Sequence, residues 1–180
     1  MSFTHRISAC VLSQGGIIAH QTDTVFGFAC LPQEHILRRL AVIKQRTLAR
    51  GFILLASCID QLDPYIDCSA EEIHRLHQVQ SVPTTWLVTA AQNLPPSLHG
   101  EHDKIAVRLV CHQTLVALCN QVGPIASTSA NISQQDTCAD ATKLRIMFGP
   151  HVDYIETQSV AGTGQASRII DCLSQEIIRA

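Results

Sequence analysis

Residues 33–56 read QEHILRRLAVIKQRTLARGFILLA, and the fold class turns on this stretch. From Gln33 to Gln45, Ile36, Leu37, Leu40, Val42 and Ile43 recur at helical spacing, which predicts an amphipathic helix with these residues as its apolar stripe. The stretch ends in Phe52 to Ala56 (FILLA), an apolar run with the length and composition of a buried strand. A helix that hands over to a buried strand within a few residues is a building unit of α/β folds.

The same alternation continues on both sides. Upstream, Gly16 to His20 (GIIAH) predicts a strand. Downstream, a short helical piece around Asp60 to Tyr65 precedes a helix over Ser69 to Gln78, opened by a capping box of Ser69 and Glu72. Thr85 to Ala90 and Ile105 to Val110 predict strands. Thr114 to Gln121 predicts a helix ended by Gly123-Pro124, followed by a short strand, Ile125 to Ser127. Ala139 to Phe148 predicts a helix stopped by Gly149-Pro150, and two strands, Arg168 to Cys172 and Glu176 to Arg179, close the chain. The alternation is irregular, so the expected α/β architecture is a twisted mixed sheet with flanking helices and not a regular βαβ winding. With 180 residues and no repeat or linker, residues 1–180 are expected to form one domain.

Composition narrows the function. Hydrophobic residues make up 46% and charged ones 16%, a globular balance; with one Trp, two Tyr and five Phe, aliphatic side chains must build the core. A formal charge of -2 argues against a surface that is cationic throughout, while leaving room for a local basic patch. The eight cysteines are scattered without a C-x-x-C pair, in mostly apolar company. Met1 to Cys10 lacks the charged start and apolar run of a secretory signal, and no stretch approaches the ~18 apolar residues of a membrane span. A reduced, cytoplasmic protein with small buried thiols and no membrane association is expected.

Four segments concentrate polar chemistry. After the first strand, Gln21-Thr22-Asp23-Thr24-Val25-Phe26-Gly27 sets hydroxyls and a carboxylate at a strand end; it serves a ligand or simply makes an Asx or Ser/Thr turn. Lys44-Gln45-Arg46 falls where the helix should end, so both cations converge on one anion or only complement the helix C-terminus. Arg108 interrupts the apolar run of Ile105 to Val110, so burial obliges it to find an anion, from the protein or from a ligand. Ser127-Thr128-Ser129-Ala130-Asn131 groups three hydroxyls and an amide, suited to phosphate or nucleoside oxygens or to a capped turn. Gly162-Thr163-Gly164 reads as a loop, there is no phosphate-binding G-x-x-x-x-G-K-[ST], and the pairs His74/His77 and His99/His102 lack a third metal ligand, which favours solvated histidines and no metal site. No Ser-His-Asp arrangement and no activated cysteine can be assigned.

The order of these segments is more specific than any one of them. GGIIAHQTDTVFG (15–27), IKQR (43–46), RGFILLA (50–56), PTTWLVTA (83–90), IAVRL (105–109) and STSANIS (127–133), with SRIID and EIIRA at the end, resemble the YrdC family of threonylcarbamoyl-AMP synthases in its short bacterial form. That resemblance implies a large concave basic surface. It also implies formation of threonylcarbamoyl-AMP and pyrophosphate from L-threonine, bicarbonate and ATP, with Mg²⁺ bound through the nucleotide. The partner it implies is the transferase complex that modifies tRNA. By the same resemblance Lys44, Arg46, Ser129 and Asn131 match the K-x-R and S-x-N signature that lines the nucleotide site and carries catalysis. Thr85, Arg179 and, by proximity, Ser127 are nucleotide-side residues, while Thr22 and Arg108 match residues that hold the threonine. The chain departs from the family pattern at Gln21, Thr47, Val82 and Gln134, where Pro or Gly is usual and would preset turns. An RNA-binding domain that uses the basic concavity without catalysis, and a related carbamoyl-transfer domain, are the alternative readings.

Overall fold

The computed structural model describes residues 3–22, 24–78, 80–132, 141–156 and 165–180. Among these residues the strands are β1 (Ile18–Gln21), β2 (Phe26–Cys30), β3 (Ile53–Ala56), β4 (Thr84–Thr89), β5 (Lys104–Leu109), β6 (Ile125–Ser129), β7 (Tyr154–Ile155), β8 (Arg168–Asp171) and β9 (Ile177–Arg179). All join one sheet in the order β7-β1-β2-β6-β3-β5-β4-β8-β9. The pairs β1–β7, β3–β5 and β4–β8 are parallel and the others antiparallel, so the expected mixed sheet is the one found. The helices are α1 (Phe3–Ser13), α2 (Glu34–Ile43), α3 (Ala70–Leu76), α4 (Pro96–His99), α5 (Gln113–Val122) and α6 (Ala141–Phe148).

Successive side chains of a strand point to opposite faces of its sheet, and here the two faces have different fates. On one face Phe28, Leu54, Val88, Ile105 and Val107 pack with Leu37 and Leu40 of α2, Leu98 of α4 and Leu144 of α6. On the other, α1 and α5 cover one part of the sheet, with Leu12, Leu115 and Leu118 packed on Ile18, Ala29, Leu55 and Ile125. The remainder of that second face is left open as a cavity.

Local rules account for the helix ends. Ser69 Oγ accepts from the Glu72 amide at 3.3 Å and Glu72 returns a bond to the Ser69 amide at 2.9 Å, the capping box that the sequence predicts. The other Glu72 oxygen takes the amide and hydroxyl of Thr89 at 2.9 and 3.0 Å, which fastens α3 to β4. At the end of α2, Gln45 adopts φ 50°, and the amides of Gln45 and Arg46 bond to Val42 O and Ala41 O, both at 3.0 Å. This is a Schellman motif with glutamine in the left-handed position usually filled by glycine.

Three readings are corrected or extended. Val42 does not belong to the apolar stripe: it is 77% exposed, and the buried face carries Ile36, Leu37, Leu40 and Ala41. At about 100° per residue, Val42 points almost directly away from the middle of that face, whereas Lys44 comes back onto it. Helix α1 and strands β2 and β7 were not predicted; β7 is two residues long, and α1 has neither an acidic first turn nor a basic last turn. The thiols are not uniformly buried, because Cys10, Cys58 and Cys111 are exposed while Cys30, Cys119 and Cys172 are buried, all seven described cysteines being free. Cys138, Gln134, the Gly162–Gly164 loop and the first two residues of the helix expected from Ala139 lie outside the described residues. Among the described residues no helix is long and apolar enough to cross a membrane.

Candidate active site

The open part of the second sheet face is a cavity of about 600 Å³, within the range of ligand sites. Its floor comes from every second residue of neighbouring strands: Gly27 of β2, Ser127 and Ser129 of β6, Ile53 and Leu55 of β3, and Ala106 and Arg108 of β5. Of the residues predicted from sequence, Thr22, Arg46, Arg108, Ser127, Ser129 and Arg179 line it. Lys44, Thr85 and Asn131 stand behind its walls.

The Schellman turn is what separates Lys44 from Arg46. Lys44 continues the buried helix face and is 1% exposed. Its ammonium donates to Asn131 O at 2.8 Å, to Asn131 Oδ1 at 2.9 Å and to Ser129 O, and lies 5.7 Å from the centre of the Phe28 ring. Asn131 Oδ1 also accepts from Ser129 Oγ at 2.8 Å, so one buried ammonium organises the whole S-x-N segment. After the reversal at Gln45, Arg46 heads the other way, into the cavity. Its Nη2 donates to Gly51 O at 2.8 Å and to Arg50 O at 3.2 Å, and the guanidinium stacks 5.6 Å from the centre of Phe52.

Arg179 is held from the opposite wall. Its Nε and Nη2 donate to Ser167 O at 3.0 and 2.7 Å, and Nη2 reaches Ser167 Oγ at 3.3 Å. The fully buried Thr85 braces this contact, its hydroxyl 2.8 Å from Ser167 Oγ. Arg108, 5% exposed, reaches the same cavity from β5. Burial, and then the neighbouring Arg50 and Arg179, push the Arg46 guanidinium below its usual value, and burial and Arg108 do the same to Arg179. Like charges held this close create a positive potential that an anionic ligand relieves. His20, buried beside this cluster, is lowered to about 4 by burial, by Arg108 and by His5, and is neutral at physiological pH.

Sequence reading missed Arg50, Glu101, Asp103 and Lys104 on the cavity wall, and treated His99 and His102 as solvated loop residues although both line it. Lys104 is tied to Asp171, and His99 Nδ1 lies 2.8 Å from His102 O. The rim is built where two loops cross: Gly51 (φ 58°) and Gly100 (φ 70°) approach so closely that a Cβ on Gly100 would fall 2.2 Å from Ala49 O. Phe52 N to Leu98 O (2.8 Å) and Glu101 N to Ala49 O (3.1 Å) lock that crossing. Glycine pairs at such crossings were the available signal.

Three of the turn departures are absorbed. Thr47 keeps φ −64°, the angle a proline would impose, and its hydroxyl accepts from Ala49 N at 3.3 Å. Val82 is not among the residues at positive φ, and its carbonyl accepts from Thr84 Oγ1 at 2.9 Å. Gln21 ends β1 in register with Phe26.

The fold thus defines an α/β protein whose central sheet carries an arginine-lined cavity on one face. Sequence comparison gives the same answer: over residues 10–180 the chain matches, and belongs to, the Sua5/YciO/YrdC family, described as telomere recombination. It is 35% identical to the threonylcarbamoyl-AMP synthase of Pasteurella multocida, spanning 93% of this chain and 94% of that one. It is 34% identical to the enzyme of the same name from Pseudoalteromonas translucida, spanning 99% and 100%. Sua5 of P. abyssi complexed with L-threonine superposes with a TM-score of 0.85 at 26% identity, over 93% of this chain and half (50%) of that longer one. E. coli YciO shares the fold with a TM-score of 0.74 at 19% identity, over 93% of this chain and 84% of YciO.

Proposed function

We propose that this chain, as one YrdC-like domain over residues 1–180, is an L-threonylcarbamoyladenylate synthase. The observation that carries the reading is the convergence of Arg46, Arg108 and Arg179 on one cavity in a protein whose net charge is only -2. The amine of L-threonine takes up bicarbonate with loss of water to give a carbamate. A carbamate oxygen then attacks the α-phosphorus of ATP, and the bond to the β-phosphate oxygen breaks to release pyrophosphate. The carbamate and the triphosphate are both anionic, so the barrier is largely charge repulsion and positioning, which fixed guanidiniums can offset without a protein nucleophile.

In this scheme Arg108 pairs with the threonine carboxylate, while Arg46, Arg50 and Arg179 face the phosphates. Ser129, whose proton is held by Asn131 Oδ1, offers the nucleotide an acceptor oxygen. Lys44 and Asn131 serve by fixing Ser129, and Thr85 by fixing Ser167 and, through it, Arg179. Thr22 belongs to the amino-acid end. The Mg²⁺ of this reaction would be carried by the triphosphate. The labile product would pass to the transferase complex that modifies tRNA, and the cationic concavity would also take an RNA backbone in a salt-sensitive way.

Pyrophosphate release from ATP with bicarbonate and Mg²⁺, with and without L-threonine, tests the reading. Release that requires both threonine and bicarbonate is expected. Folded protein that shows no such release, yet binds RNA tightly, would overturn it in favour of a non-catalytic RNA-binding role.

A further inference from the structure

Strand β9 is three residues long, exposed along its length, and stands at the edge of the sheet beside β8. Yet it carries Arg179 to the cavity. Its ladder shifts register: Ile177 pairs with Ile170 and Arg179 with Ile169, so Ile178 is the extra residue of a β-bulge. Ile169 lines the cavity, whereas Ile170 belongs to the core on the other face. In an unshifted ladder Ile178 would stand opposite Ile169, and Arg179 would stand opposite Arg168, facing away from the site. The register of β9 therefore decides whether Arg179 serves the cavity at all.

In a hairpin the turn sets the register, and here the turn is built on Asp171. The buried Asp171 Oδ1 accepts from the amides of Leu173 and Ser174 at 3.1 and 3.0 Å. Its backbone N–H donates to Glu176 O and its carbonyl accepts from Gln175 N, both at 2.9 Å. Gln175 closes the turn at φ 61°, and its side chain donates to Cys172 O at 2.8 Å. Asp171 Oδ2 pairs with Lys104 of β5, two strands away on the cavity wall. From α3, Arg75 donates to Cys172 O and, at 3.0 Å, to Leu173 O. The turn is thus fastened to β5 and to α3, and Asp171 is the residue at its centre.

We infer that Asp171 is a positioning residue for the reaction: by shaping the β8–β9 turn and anchoring it to Lys104, it fixes the register in which Arg179 reaches the nucleotide. This rests on the synthase reading above, in which Arg179 faces the phosphates. Asp171 is not itself among the cavity-lining residues, so it acts through Arg179. The bonds of Arg179 to Ser167 hold the guanidinium once it is on this face, and the turn is what puts it there.

The test is a double-mutant cycle of Asp171→Ala and Arg179→Ala, read as threonine-dependent pyrophosphate release and as ATP affinity by calorimetry. Arg179→Ala should lower kcat/KM for ATP by about 10–100-fold, the scale of a lost charged hydrogen bond. Asp171→Ala should approach that loss while the KM for threonine changes little. The double variant should be no worse than Arg179→Ala, because both substitutions remove the same contact. Asp171→Asn keeps an oxygen for the Leu173 and Ser174 amides but loses the charge that Lys104 pairs with, so it should lose less than Asp171→Ala. Losses that multiply in the double variant overturn the proposal. So does an Asp171→Ala chain that melts lower yet turns over normally per folded molecule, since the turn then serves stability alone. If Asp171→Ala does not fold, Asp171→Asn takes its place in the same cycle. Wild type that binds ATP but releases no pyrophosphate sinks the synthase reading, and the cycle is then decided on ATP affinity.

Discussion

The two faces of the sheet are made by the same strands and do opposite things. In β5, Ile105 and Val107 are fully buried in the core, while Ala106 and Arg108 between and beyond them line the cavity. In β3, Leu54 faces helices α2, α4 and α6, and its neighbours Ile53 and Leu55 face the site. Function here is the part of one sheet face that α1 and α5 leave uncovered, and the other face supplies the rigidity. A change one residue along a strand should therefore switch its effect between stability and activity.

The largest effect is expected on the open face. Arg46→Ala should lower threonine-dependent pyrophosphate release by about 10²–10³-fold, the scale of one lost transition-state donor, while a thermal melt shifts by only a few degrees. Unchanged turnover would remove Arg46 from the site. On the covered face, Leu54→Ala, at a fully buried position, should cost about 2–5 kcal/mol in denaturant unfolding with turnover per folded molecule retained. Comparable loss of turnover per folded molecule would mean that the faces are not independent.

His20 gives a third test through pH. Its folded value of about 4 lies below the ordinary 6.5, so between these values the unfolded chain binds more protons. Stability from this group is complete above pH 6.5 and is lost as pH falls toward 4, by about 3 kcal/mol in all. Asp153 and Asp171 are held below their usual values and act at lower pH, so urea titrations that flatten over this window in His20→Asn would isolate the effect. A wild-type profile flat from 6.5 to 4 would contradict it. Arg108→Ala should weaken threonine by about 10–100-fold and ATP far less, the worth of a hydrogen-bonded charge; equal losses would break the carboxylate assignment. Smallest of all, Gln45→Gly should raise stability by up to about 1 kcal/mol by relieving the left-handed residue of the Schellman turn. Destabilisation on urea unfolding would mean that the glutamine side chain has a packing role.

Much of this was legible in the chain because local periodicity carries it. FILLA and IAVRLV declare buried strands, Ser69 with Glu72 declares a helix start, and each holds in three dimensions. The failures are equally physical. FGFAC follows a tight turn and is too short and too uniform in burial to show alternation, so β2 was missed although it lies between β1 and β6. Val42 has the right chemistry for the stripe and the wrong angle. Arg50, His99, Glu101 and Asp103 sit where no period applies, in short helical turns and the loops beside them, and only the crossing at Gly51 and Gly100 brings them to the rim.

By itself the sequence determined most of the inventory: the longer, periodic strands and helices, that they form a mixed α/β sheet, and which charged and hydroxyl residues are set at element ends. Only the tertiary structure decided that Lys44 turns inward to hold Ser129 and Asn131 while Arg46, two residues later, reaches the cavity. It alone brought Arg46, Arg108 and Arg179 together on one cavity. The reason is one of range. Turn and helix rules act over about one to four residues, whereas the order of strands, and so the meeting of residues far apart in the chain, is set by long-range packing that no local pattern encodes.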